Sequence, residues 1–226
     1  MTLLTQPSLS RLLTLILVIL ISACSQMPEL QVTQASERSW DIRQQQLVNI
    51  DEWDIHARTV ILLEDKVYPL VINWVRQQEQ SLMVIEAPFG QGVIRIQSNA
   101  STDKNKQFKL TLVDGRYHLG PTPEVLLFNL LGWSIPVSGL KSWIKGLPQS
   151  HVDSNYEIYG AGRLKSLQQN GWLINYLDYF SEQEQAHQLP KRLYLKHKNM
   201  GIKIAIERWT KLEAPVEPES IFPSFN

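Results

Sequence analysis

Apolar and polar positions alternate with period two through most of the chain. In "QFKLTLV" Phe108, Leu110 and Leu112 oppose Gln107, Lys109 and Thr111, and in "IKIAIERW" Ile202, Ile204 and Ile206 share one side while Lys203 and Glu207 take the other. Such alternation predicts strands with one buried face. "WDIHARTVILL", "VYPLVINWV", "SLMVIEA", "GVIRIQ", "GRLKSLQQ", "WLINYLDYF" and "RLYLKH" read as further strands. Asp114-Gly115 and Asn170-Gly171 mark tight hairpins, because these pairs tolerate the positive φ of a type I′ turn. The acidic pair Glu64 and Asp65 adjoins another turn. The pattern predicts an antiparallel sheet built by meander.

The period changes in three places. "SWDIRQQQLVNI" offers Ser39 as an N-cap and sets Trp40 and Leu47 two turns apart on one helical face. "PTPEVLLFNLLGW" has Thr122 as N-cap, Pro123 at the first helical position, Glu124 in the first turn and Gly132 past the end, with apolar side chains from Val125 to Leu131 on most of its surface. "SGLKSWIKGLP" repeats this on a smaller scale from Ser138 to Gly146. A sheet with one polar and one apolar face needs a cover for the latter. The two apolar helices, Pro123 to Leu131 and Leu140 to Lys145, are the segments available for it.

A different pattern opens the chain. The apolar run from Leu12 to Ala23 follows Arg11 and ends on Ser22, Ala23 and the single cysteine of the sequence, Cys24. The run is too short for a membrane-spanning helix, which needs about 20 residues, and has the order of a secretory signal peptide. The alternatives are an ordinary leader beside a stray cysteine, or a leader cut immediately before a cysteine with a use of its own; a lone cysteine in an exported protein has no intramolecular disulfide partner. The organisation expected is a signal peptide over 1–23, an N-terminal tether over 24–38, one globular domain over 39–212, and a Pro-rich acidic tail over 213–226 with no strand or helix pattern.

Composition narrows the function classes. Arg11 is the only charged residue of the leader, so the mature chain carries 21 basic and 22 acidic side chains. With neither a positive field nor a Lys/Arg stripe, no nucleic-acid partner is expected. Seven tryptophans and 43% apolar residues argue for a well-filled body. There is no phosphate-binding GxxxxGK[ST], no GxSxG, no HExxH and no cysteine pair. His56, His118, His151, His187 and His197 are scattered without metal-ligand spacing. Neither a catalytic residue, nor a metal, nor a cofactor is expected, and the chain reads as a non-enzyme.

Four segments carry a family resemblance: "VINWVRQ" with "MVIEAPFGQGVIRI", "LLGWSIPVSGLKSWIKGLP", "GRLKSLQQNGWLINY" and "IKIAIERW". Together they resemble the LolB family from about Trp40 to Trp209, and the block Gly132 to Pro148, "GWxxPVxxLxxWIxGLP", is the most specific element. Where the family often has Gly-Arg in its first strand, this chain has Ala57-Arg58. The resemblance implies a mainly β fold: an incomplete, strongly curved antiparallel β-barrel enclosing an apolar cavity covered by short helices.

The same resemblance implies the function. "ISAC" is similar to a lipobox, which makes Cys24 the acylated first mature residue, with Ser25 directing it to the outer membrane and the body facing the periplasm. The protein would accept acylated lipoproteins from a periplasmic, LolA-like carrier and insert them among outer-membrane lipids, as a monomer and without nucleotide. Candidate cavity residues are Ile72, Trp74, Ile94, Ile96, Leu126, Leu130, Trp133 and Trp172, each of which alternation alone would equally place in a packed core. Pro88, Phe89 and Gly90 form a loop tip. On the residues alone Phe89 either folds back onto a strand or projects, and the resemblance implies projection toward membrane or cargo. The alternative function is a scaffolding envelope lipoprotein that binds another envelope protein.

Overall fold

The computed structural model describes residues 33–77, 79–88, 92–98, 107–185 and 187–210. The leader, Cys24, Ser25, Phe89, Gly90 and the C-terminal tail lie outside the described residues. The strands are β1 (Trp53–Leu63), β2 (Lys66–Gln77), β3 (Gln80–Glu86), β4 (Val93–Ser98), β5 (Phe108–Leu112), β6 (Tyr117–Gly120), β7 (Ser154–Ile158), β8 (Leu164–Gln169), β9 (Trp172–Tyr179), β10 (Pro190–His197) and β11 (Met200–Thr210). The helices are α1 (Gln34–Val48), α2 (Pro123–Leu131) and α3 (Val137–Trp143). No helix of the described residues is long and apolar enough to cross a membrane.

All eleven strands form one antiparallel sheet in the order β6-β5-β4-β3-β2-β1-β11-β10-β9-β8-β7. The first and last strands pair in the middle, which leaves β6 and β7 as the two edges of an unclosed, curved barrel. The chain must therefore pass from one edge to the other, and the segment that makes the passage contains α2 and α3. Curvature has local causes: β-bulges interrupt the register between His56 and Ala57 on the β1–β11 pair and near Arg192 on the β9–β10 pair, and a bulge bends and twists its strand.

Inward side chains form rows across directly paired positions. One row is Trp74, Met83, Ile96 and Leu110, and another is Ile202, Leu195, Ile174 and Leu167. Every member of both rows is buried. Pro69 sits in β2 opposite Val60 of β1, on a stretch that extends past the end of β3. A proline is tolerated there because its missing N–H faces no neighbouring strand.

Several local expectations needed correction. Helix α1 begins at Gln34, where Thr33 and Ser36 cap each other reciprocally at 3.2 and 3.3 Å. Ser39 is one turn inside the helix and its hydroxyl donates to the Ala35 carbonyl. Asn170 and Gly171 both have positive φ, 52° and 76°, as a type I′ turn requires. Gly115 alone does so in the other hairpin, φ 83°, with the Leu112 N–H bonded to the Arg116 carbonyl; this is a three-residue loop rather than a two-residue turn. Strands β6 and β7 have no sequence counterpart above. "YHLG" is short and almost wholly exposed, and only Ile158 of "SNYEI" is buried.

Candidate functional site: a roofed cavity on the concave face

The roof is built from sequence-local rules. In α2 the Thr122 hydroxyl accepts from the Val125 N–H, Pro123 occupies the first turn, and Gly132 ends the helix at φ 78°. Leu126 and Leu127 point to the sheet, with Leu126 seated on Gly120 of β6. α3 runs over Val137–Trp143, a register slightly earlier than Ser138 to Gly146. Its N-cap residue, Pro136, supplies no side-chain cap. Glu124 of α2 replaces it by accepting from the Ser138 N–H at 2.6 Å, a favourable place for a carboxylate. The two helices are thereby linked.

The C-terminal end of α3 is fixed from several sides. Trp143 is fully buried and its indole N–H donates to Gln169 Oε1 at 2.9 Å. Gln169 also accepts from the Gln149 N–H and donates to the Gln149 and Val152 carbonyls, so its amide is fully used. Tyr176 donates to the Trp143 carbonyl. The indole folds over Gly139, where a Cβ would stand 2.6 Å from ring carbon, so only glycine permits this approach. Beyond the helix, Lys145 Nζ donates to the Ile50 carbonyl at 2.9 Å, joining the roof to the segment that leads into β1.

Beside the α3 N-terminus the roof and the sheet leave a cavity of about 120 Å³. Its apolar lining is Trp74, Met83 and Ile96 from one cross-strand row and Phe108 from the next, with Pro123 and Val137 from the roof. Its polar lining is Arg76, Ser81 and Ser98 from the row that ends on Phe108, with Ser138 and Lys141 from the roof. The Trp74 indole donates to Ser81 Oγ at 2.7 Å, and Ser98 Oγ accepts from the Ser81 N–H. Arg76 is 4% exposed; one of its terminal nitrogens lies 3.4 Å from Asp51 and its guanidinium stands 5.6 Å from the Trp53 ring.

Of the residues named from sequence, Trp74 and Ile96 line this cavity. Ile72 and Leu126 are buried in the adjoining core, while Ile94 and Trp133 are half-buried against it. Leu130 is 36% exposed on the outer side of α2. Trp172 lies far along the sheet, between Trp143 and His197, beside a broad polar surface groove of about 600 Å³ at the β7–β9 edge. Pro88 stands at the start of the β3–β4 loop, whose ends are held by the Ala87 N–H on the Gly92 carbonyl. Phe89 and Gly90, at its tip, are outside the described residues. The sequence reasoning missed Arg76, although it shares strand parity with Ile72 and Trp74.

Burial pushes the Lys145 ammonium down to about 8, with neighbouring Lys141 and Arg76 acting in the same direction and Asp51 opposing. Between that value and the ordinary 10.5 the unfolded chain holds more protons at this lysine than the fold does, so stability rises with pH there. The urea midpoint is expected to increase from pH 7.5 to 9.5, and Lys145→Met should flatten that increase. Burial raises Tyr176 and Tyr179, which reverses the trend only above about pH 10, where unfolded tyrosines ionise. A midpoint that falls between pH 7.5 and 9.5 would contradict the burial of a charged Lys145.

The fold and the site together define a half-barrel whose concave face is roofed by two helices over a small, partly open cavity. The chain belongs to the LolB family: the family described as "Outer membrane lipoprotein LolB" matches residues 51–209. Relatives include an outer-membrane lipoprotein LolB of Pseudomonas savastanoi pv. phaseolicola, 29% identical over 85% of this chain and 92% of that protein. A second, from Pseudomonas fluorescens, is 30% identical over 75% of this chain and 80% of that protein. Among solved structures, a DUF1329 family protein from Desulfovibrio piger superposes with a TM-score of 0.46 at 8% identity, covering 79% of this chain and 94% of that one.

Proposed function

We propose that the protein is an outer-membrane-anchored acceptor that takes lipoproteins from a soluble periplasmic carrier and passes them to the membrane. Cys24 carries the anchoring acyl groups, Ser25 permits outer-membrane sorting, and the roofed half-barrel shelters the acyl chains of the cargo. The observation that carries this reading is the cavity between an apolar concave sheet and its helical roof, in a chain of the LolB family. Acyl chains lose about 0.8 kcal/mol of burial per exposed methylene, so a lipoprotein needs continuous shelter in water. Direction follows from an affinity gradient in which each tenfold step takes only about 1.4 kcal/mol.

The cavity of about 120 Å³ is smaller than the roughly 300–1,000 Å³ of pockets that enclose sizeable ligands. Uptake of an acyl chain therefore requires the roof to lift. The Trp143 end of α3 is the fixed end, held by Gln169 and Tyr176. α2 has Val125, Phe128 and Leu130 exposed and rests on the edge strand β6, so it is the part that moves.

The test is a transfer assay with loaded carrier, this protein and liposomes, run with Phe89→Glu. If the β3–β4 tip meets the membrane, the variant should melt normally, take lipoprotein from the carrier and release it poorly. A projecting phenylalanine gains roughly 1.5–3 kcal/mol in the interface, enough for at least about a tenfold loss of delivery. Undiminished delivery by a stable variant would remove the loop from the mechanism. A large fall in melting temperature would place Phe89 in the core.

A further inference from the structure

Arg76 is the most unusual group on the concave face. It lines the cavity, is 4% exposed, and its Nε is buried without a hydrogen-bond partner. A buried donor left unpaired is destabilising, the more so when it is charged. The Asp51 contact, at 3.4 Å, uses another nitrogen, and Asp51 is more than half exposed. Lys145 lies on the same Trp53 ring at 5.6 Å, and Lys141 borders the cavity. Two neighbouring cross-strand rows line the cavity: Trp74, Met83 and Ile96 form an apolar row, and Arg76, Ser81 and Ser98, with Phe108 at the far end, form a row whose Arg76 end is cationic and hydroxyl-bearing. That is the chemistry of an amphiphile with a carboxylate or phosphate head and a single alkyl chain.

We infer that this cavity is a binding site for single-chain anionic amphiphiles, with Arg76 pairing the head and the Trp74–Met83–Ile96 row taking the chain. A planar guanidinium gives two parallel hydrogen bonds to either head group. A neutral amphiphile of equal length fills the apolar row but brings no charge to the Arg76 guanidinium. Entry of the alkyl chain uses the same lifting of the roof, but binding is read without carrier or membrane, so it holds or fails independently of lipoprotein transfer.

Calorimetric titration of the body carrying Cys24→Ala and exported with an ordinary cleavable leader tests this with octanoate, octyl phosphate, octanol and inorganic phosphate. Hydrogen bonds to charged groups contribute about 1.5–3 kcal/mol, so the two anionic amphiphiles should bind at least about tenfold more tightly than octanol, and inorganic phosphate weakly. Arg76→Gln should abolish that preference, and Arg76→Lys should retain part of it. The stronger of octanoate and octyl phosphate tells a fatty-acid source from a phospholipid-type head group. In the unsubstituted site the Arg76 guanidinium resonances should shift with octanoate and stay in place with octanol, a readout that does not depend on folding of the variants. Equal binding of octanol and octanoate, or an unmoved Arg76 resonance at saturating octanoate, would overturn the assignment.

Discussion

Cutting Trp143 back to alanine is expected to lower the melting temperature by roughly 6–20 °C. The side chain is fully buried against Trp172 and Gly139, and its indole N–H is bonded to Gln169. Large aromatic-to-alanine changes in such sites cost about 3–5 kcal/mol, and each kcal/mol moves the midpoint of a domain of this size by about 2–4 °C. The loss goes beyond lost burial, because the fixed end of the roof is released from the β8–β9 hairpin. Trp143→Phe keeps most of the volume and removes the hydrogen bond, so it should fall between wild type and alanine. Calorimetry of the three proteins checks the order, and an alanine variant that melts within about 2 °C of wild type would show that α3 is held elsewhere.

Cys24→Ala is expected to abolish lipid attachment outright. In the proposed anchoring the thiol is the site of the first acyl group and the boundary for cleavage, so no neighbouring residue can substitute. Palmitate labelling should disappear and the unprocessed precursor should accumulate. The body, whose cavity lies between the sheet and the roof, should still capture cargo when it is exported with an ordinary cleavable leader. Persistent palmitate incorporation in Cys24→Ala would contradict the anchoring site.

These expectations rest on features of unequal legibility in the sequence. Strand β1 was readable residue for residue, because "WDIHARTVILL" alternates and ends at a turn. The caps of α2 were readable because Thr122, Pro123 and Gly132 each act within one turn of chain. The start of α1 is not legible because Ser39 directly precedes the first apolar position, Trp40, whereas the reciprocal Thr33–Ser36 pair that caps the helix lies upstream in polar sequence. β6 and β7 escaped because an edge strand buries too little to show alternation.

The site was legible only in part. Period two places Arg76 beside Ile72 and Trp74 on the inner face, and Ser81 and Ser98 share parity with Met83 and Ile96. The polar end of the cavity was therefore present in the pattern, masked by the expectation that charge points outward. Which inner residues face open space and which face packed neighbours depends on the long-range position of the roof. That position is set by Gln169, Glu124 and Ile50, all distant in sequence from the groups they hold. Trp172 illustrates the difference, since it is inward and buried yet belongs to the opposite part of the sheet.

The central claim, that cargo acyl chains enter the roofed cavity, is tested most directly by site-specific photocrosslinking. A photoreactive residue replaces Met83, on the cavity wall, or Lys203, exposed on the outer face of β11, and each protein is mixed with carrier loaded with radiolabelled lipoprotein and illuminated. The account predicts label attached through the acyl chain at position 83 and background labelling at position 203. Equal labelling at the two positions, or none at 83 during active transfer, would contradict it.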